Sequence, residues 1–191
     1  MLADMARPPL YDDALRERLL AATAAMVDEK GPERVSLREI AQTAGTSTSA
    51  VYALFGGKNE MLVAVIENGF ASFGASQAAV EPDGLRALGL AYRDWATKNP
   101  ALYRLMFNGS ITTLIDYRPD DEKTGAAMAP LIRTLAERVP ADRVTAAALT
   151  VWAQVHGAVS LELAAVTPVA VDWAAVYDEV VTAVERAFPA S

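Results

Sequence analysis

The sequence predicts an all-α protein in two parts: an N-terminal three-helix helix-turn-helix head and a larger C-terminal helical body. Three observations carry this expectation. Apolar residues recur at intervals of three and four along most of the 191 residues, the period of a helix with one buried stripe. No stretch alternates apolar and polar residues as a half-buried strand would. Glycine and proline punctuate the periodic stretches, at Gly31-Pro32, Gly56-Gly57, Pro82-Asp83-Gly84, Pro100 and Pro140.

In order, residues 1–10, with Pro8 and Pro9, read as an irregular arm. From Asp12 or Asp13 a helix runs to about Lys30, with Leu15, Leu19, Ala22 and Met26 spaced four, three and four. Acidic residues open it and Lys30 closes it, as the helix dipole favours, and Gly31-Pro32 ends it. Ser36 then caps a short helix, and Glu39, three residues on, completes a capping box. Leu37, Ile40, Ala41 and Ala44 form its apolar stripe, and Gly45 supplies the left-handed residue that re-aims the chain. Thr46 or Ser47 caps the next helix, whose Val51, Leu54 and Phe55 share a face and which Gly56-Gly57 stops. Two short helices joined by a glycine-bearing turn make a helix-turn-helix, whose second helix enters the DNA major groove.

The order of residues here resembles the TetR family of transcriptional repressors. The family's small-residue turn, central tyrosine, terminal aromatic and Lys-x-Glu-Leu opening fall on Gly45, Tyr52, Phe55 and Lys58-Asn59-Glu60-Met61. It departs at Thr48, where the family often has lysine, and at Ala53 and Leu54, where it often has an aromatic or histidine. Farther on, Asn99 to Phe107 and Trp152 to Leu163 resemble that family's WHG-type C-terminal ligand-binding domain.

A connecting helix is expected from Lys58 to about Gln77, with Leu62, Val65, Ile66 and Phe73 inward. The domain boundary is placed in it, giving a head of 1–57 and a body of 58–191. Glu81 to Gly84 is a turn, Leu85 to Lys98 a helix, and Pro100 opens a short one. Residues 108–125 lack a period and read as a loop, a candidate access gate. Helix resumes to about Val139, with a kink or restart expected near Ala129 because of Pro130. Ala141 to Ala165 and Val169 or Asp172 to Phe188 complete the chain, both apolar on more than one face. They read as the core of a single chain or as a paired dimer interface; the second is the expectation, two copies assembling a four-helix bundle with Val159 and Val180 as contact positions.

Bulk properties bound the function. Hydrophobic residues make up 52% and charged residues 21%, enough for a buried core, and there is no cysteine for disulfide, thiolate metal site or nucleophile. A net charge of −7 argues mildly against a nucleic-acid partner. Its distribution reverses that locally: within 34–58 stand Arg34, Arg38 and Lys58 against Glu39 alone. No basic region followed by an apolar core opens the chain, so no signal peptide is expected and the cytoplasm is the expected location. The apolar stretch Ala146 to Trp173 is broken by Gln154, His156, Glu162 and Pro168, a poor membrane span.

The expected DNA face comprises Arg38, Thr46, Ser47, Thr48, Ser49, Tyr52 and Lys58. Tyr52 reaches a phosphate or base edge unless it packs beside Phe55, and Lys58 clamps phosphate unless it is simply solvated. One or two of the four hydroxyl residues must cap the helix. The expected ligand set is Tyr92, Trp95, Tyr103, Met106, Phe107, Trp152 and His156, ring surfaces with a few polar tips and no cluster of Arg or Lys. Taken singly, these aromatics are ordinary core, and a lone histidine is ordinarily a satisfied interior residue. The inventory offers no paired Glu-x-x-His site and no Gly-x-Ser-x-Gly elbow, so neither enzyme activity, metal nor cofactor is expected. The expectation is a ligand-responsive regulator. Its partners would be double-stranded DNA with a near-palindromic operator, a small apolar or aromatic effector and a second copy of itself, with no membrane. The alternative is a helical small-molecule-binding protein or enzyme with no DNA role.

Overall fold

The computed structural model describes residues 13–107, 121–165 and 170–190. Among them every regular element is helical: α1 (Asp13–Lys30), α2 (Leu37–Thr43), α3 (Thr48–Phe55), α4 (Lys58–Val80), α5 (Leu85–Lys98), α6 (Pro100–Phe107), α7 (Asp121–Ala136), α8 (Val144–Ala164) and α9 (Trp173–Ala187). Short 3-10 turns stand at Pro32–Arg34, Glu81–Asp83 and Ala141–Arg143. The chain divides into two compact units, Met1–Asn68 with Arg104–Arg118, and Gly69–Tyr103 with Pro119–Ser191. The divisions fall inside α4 and inside α6, so each of these helices belongs to both units.

In the head unit, α1 buries Leu15, Leu19, Leu20, Thr23, Ala24 and Val27. Ala22 and Met26, expected on that stripe, lie half-buried on its flank. The Thr23 hydroxyl donates to the Leu19 carbonyl at 2.7 Å, so its burial leaves no unpaired donor. The head also buries Ile40, Ala41, Ala50, Val51, Met61, Leu62, Val65 and Ile66. Arg104 of α6 grips Asp28 of α1 through two bonds of 2.5 Å. That guanidinium holds the Asp28 carboxyl below its ordinary pKa, against the opposing pull of burial.

In the body unit, Leu85, Leu135, Ala147, Ala148, Val151, Val184 and Phe188 form one core cluster from α5, α7, α8 and α9. Gly89 of α5 is a close crossing point: a Cβ there would lie 3.1 Å from Cγ2 of Val181 on α9. Its carbonyl accepts the Tyr177 hydroxyl at 2.7 Å, a buried bond between the same two helices. Around the rim, Arg93 holds Glu162 by two bonds of 2.8 and 2.6 Å, and Arg86 pairs with both Asp178 and Glu185.

Two local expectations differ from the structure. Residues 121–125, assigned to the loop, are the first turn of α7; the remainder of that loop lies outside the described residues. Nor does the helix restart near Ala129: α7 runs through Pro130. Proline forfeits one ladder bond and crowds the preceding turn, at about 3 kcal/mol. Burial of Ala127, Pro130, Thr134 and Leu135 along one face offsets that cost, and the Thr134 hydroxyl caps the Pro130 carbonyl at 2.9 Å.

Candidate nucleic-acid interface and effector cavity

The turn between α2 and α3 is built by hydrogen bonds that the sequence supplies locally. Ser36 caps α2, its Oγ accepting the Glu39 N–H at 3.2 Å. The Glu39 carboxylate in turn accepts the Ser36 hydroxyl at 3.1 Å and Lys30 at 3.4 Å, which together hold it below the ordinary glutamate range. At the other end of α2, Gly45 adopts φ +70°, where a side chain would be strained. Thr46 N–H then bonds the Ala41 carbonyl at 2.8 Å and Gly45 N–H that of Gln42 at 3.2 Å. This pair of reversed bonds is the Schellman motif, which satisfies two orphan carbonyls and turns the chain.

Ser47, rather than Thr46, caps α3: its Oγ accepts the Ala50 N–H at 3.2 Å. The helix then sorts its residues by face. Ala50 and Val51 are buried in the head, whereas Tyr52 is 56% exposed and Ala53 and Ser49 are exposed beside it. Phe55 does not hold Tyr52 down; it lies half-buried under the Arg16 guanidinium, 5.3 Å from ring centroid to Cζ. Thr46 and Thr48 are half-buried, and Arg38 on α2 is exposed. Lys58, half-buried at the start of α4, donates to the Glu33 carbonyl at 3.0 Å, so it also ties α4 to the turn after α1.

In the body unit a cavity lies between α4, α5, α7, α8 and α9, with about 30 Å³ of space for a water molecule. It is lined by Phe73, Gln77, Leu85, Leu88, Gly89, Tyr92, Ala127, Met128, Leu131, Val151, Trp152, Val155, Val181 and Val184. Of the seven residues expected to hold a ligand, Tyr92 and Trp152 line it. Behind them is a polar knot. Tyr92 Oη lies 3.0 Å from His156 Nδ1 and accepts Trp152 Nε1–H at 3.3 Å, while Tyr103 Oη lies 2.8 Å from the same nitrogen and 3.3 Å from Ser160 Oγ. Burial lowers the His156 pKa and raises those of both tyrosines, so the knot is neutral at neutral pH.

Trp95 stands apart, packed edge-on to Phe73 at 5.3 Å with its N–H on Ser72 Oγ at 3.0 Å. Met106 and Phe107 belong to the head unit and are not among the lining. The residue that sequence reasoning missed is Gln77. Its signal was present: Ile66, Phe70, Phe73 and Gln77 follow the buried stripe of α4 at intervals of four, three and four, and Gln77 is its one polar member.

A second concave surface runs along α8 and α9, open and shallow, lined by Gln154, Ala158, Leu161, Trp173, Val176, Glu179, Val180 and Ala183. Leu161 and Val176 are 51% and 39% exposed in it. Val159, expected from the sequence as an interface position, is fully buried in the chain's own core, on the opposite side of α8. The residues Ala141–Ala164 are long and apolar enough to cross a membrane by length and composition alone.

Comparison with known proteins fits both units. Residues 19–65 match the family model of bacterial regulatory proteins, tetR family, and residues 85–184 that of the tetracyclin repressor-like C-terminal domain. No curated protein matches the chain. Among solved structures, SCO4313, a protein assigned as regulatory, is 26% identical, with a TM-score of 0.75 over 89% of this chain and 94% of its own. The TetR-family transcriptional regulator PfmR from Thermus thermophilus shares the fold at 19% identity, with a TM-score of 0.66 over 88% of this chain and 97% of its own. Another, from Streptomyces coelicolor, does so at 19% identity and 0.68, over 93% and 81%. With the C-terminal match spanning more than half of its residues, the chain belongs to the TetR family of transcriptional regulators, with a helix-turn-helix DNA-binding domain and a C-terminal ligand-binding domain.

Proposed function

We propose that this regulator is a cytoplasmic, non-enzymatic repressor that binds a near-palindromic operator as a homodimer and releases it when a small apolar or aromatic effector enters the body cavity. The observation that carries the DNA reading is the sorting of α3: Ala50 and Val51 anchor it while Tyr52, at 56% exposure, projects with Ser49 and Thr48 near it. Tyr52, Thr48 and Ser49 then meet base edges or phosphates. Thr46, Arg38 and Lys58 meet phosphates, and Ser47, whose oxygen is engaged in its cap, keeps its hydroxyl proton to donate. The body's Tyr92 and Trp152 line one end of the effector site, with the knot of Tyr103 and His156 behind them.

Dimerisation through the α8–α9 surface supplies two heads, whose half-sites are expected roughly 34–36 Å apart. An effector can release DNA only by its differential affinity for a body conformation whose heads are wrongly spaced. Gel shifts with the DNA upstream of the protein's own reading frame test the reading. A retarded band that an added apolar effector abolishes supports it. Tight binding unaltered by every ligand that saturates the cavity refutes the release mechanism.

A further inference from the structure

We infer that the effector is electrically neutral and presents one hydroxyl, carbonyl or amide group to Gln77, and that ionised acids are excluded from the cavity. This rests on the reading of the cavity as the effector site. Gln77 is 6% exposed on the wall contributed by α4. With its carboxamide turned to suit its surroundings, the nitrogen donates to the Leu88 carbonyl at 3.2 Å and the oxygen accepts the Tyr92 N–H at 3.3 Å. A carboxamide has two N–H donors and two acceptor lone pairs, so one donor and one acceptor remain.

The other polar atoms on the wall are engaged with one another. Tyr92 Oη and Trp152 Nε1 bond to each other at 3.3 Å, and Tyr92 Oη also meets His156 Nδ1 at 3.0 Å. None of the described lining residues is charged. The two arginines of α5 are committed elsewhere, Arg93 to Glu162 and Arg86 to Asp178 and Glu185. A carboxylate or phosphate in the cavity would therefore be desolvated without a counter-charge, which either neutralises it or keeps it out. A neutral polar group instead finds the spare hydrogen-bonding capacity of Gln77. The cavity is water-sized as it stands, at about 30 Å³, so the molecule enters by displacing lining side chains. Met128, an unbranched thioether, is the most adaptable of them.

The test uses three aromatic probes of nearly equal shape: 2-naphthamide, 2-naphthoate and 2-methylnaphthalene, titrated calorimetrically into the full chain at neutral pH. The amide should bind the wild type at least tenfold more tightly than the anion, and Gln77→Leu should weaken the amide relative to the methyl compound by about tenfold. Naphthoate binding as tightly as the amide overturns the inference, as does an amide-to-methyl ratio that Gln77→Leu leaves unchanged. The wild-type comparison of amide with acid stands even where Gln77→Leu fails to fold. Met128→Trp, which fills the cavity, separates the neutrality rule from the cavity reading beneath it. If it blocks amide and acid that bind alike, only the neutrality rule fails. If it blocks neither, or if no probe binds the wild type, the cavity reading fails as well.

Discussion

The head and the body are both helical, yet they are organised by different physics. The head's defining features are local: a capping box at Ser36, a Schellman turn at Gly45, a second cap at Ser47, each formed by residues within five positions of one another. The body's defining features are distant. Tyr92 meets His156 across 64 residues of sequence, and Tyr177 meets Gly89 across 88. A recognition helix needs its backbone fixed and one face left bare, which local capping achieves in few residues. An adaptable cavity needs side chains from several helices, whose closing contacts can be remade around a guest.

This contrast can be broken experimentally at several strengths. The largest effect is expected at the open surface of α8 and α9. Leu161→Asp together with Val176→Asp should convert a dimer into monomers by sedimentation and weaken operator binding more than about a hundredfold, since half of the phosphate contacts are lost. Helicity should be unchanged, because both residues are already exposed. A folded double variant that remains dimeric would remove this surface from the assembly.

Next in size, Leu135→Ala in the body cluster removes a fully buried side chain and should cost about 2–5 kcal/mol in denaturant unfolding. Ser36→Ala and Ser47→Ala in the head should each cost about 1 kcal/mol, the ordinary loss for an N-cap. If the cap variants proved as damaging as the core variant, the head would not be the locally determined unit described above.

The smallest effect concerns pH. Burial depresses the His156 pKa, so between the unfolded value, about 6.5, and the lower folded value the unfolded chain binds the extra proton. This contribution is complete above about pH 6.5 and is lost as the pH falls through the folded pKa. Thermal unfolding should therefore show a shallow loss of stability on mild acidification that His156→Gln abolishes. An unchanged slope in that variant would place the titration elsewhere.

The same contrast explains what the sequence alone could reveal. The start of α1, the caps of α2 and α3, and the bounds of α5 and α9 were legible because Asp13, Ser36, Ser47, Gly84 and Asp172 act on their immediate neighbours. A restart at Pro130 was not to be settled locally: proline's own preference is to break a helix, and tertiary burial carries α7 through it. The aromatics of the body were recognisable as a set, but not their partition. Trp95 is turned toward Ser72, Tyr103 stands behind the wall, and Met106 lies in the head unit, distinctions set by helix packing. Val159 and Val180 look equivalent in sequence, and only the packing of α8 and α9 makes the first core and leaves the second in the surface groove.

The central claim is that α3 reads DNA with the face that Tyr52 occupies, and fluorescence anisotropy of a labelled operator duplex, selected from genomic fragments, tests it most directly. Tyr52→Ala and Lys58→Ala should each weaken binding by roughly tenfold while the dimer stays folded, and loss of Lys58 should lower the salt slope by about 1 for every sequence tried. Wild-type affinity in both variants would contradict the account.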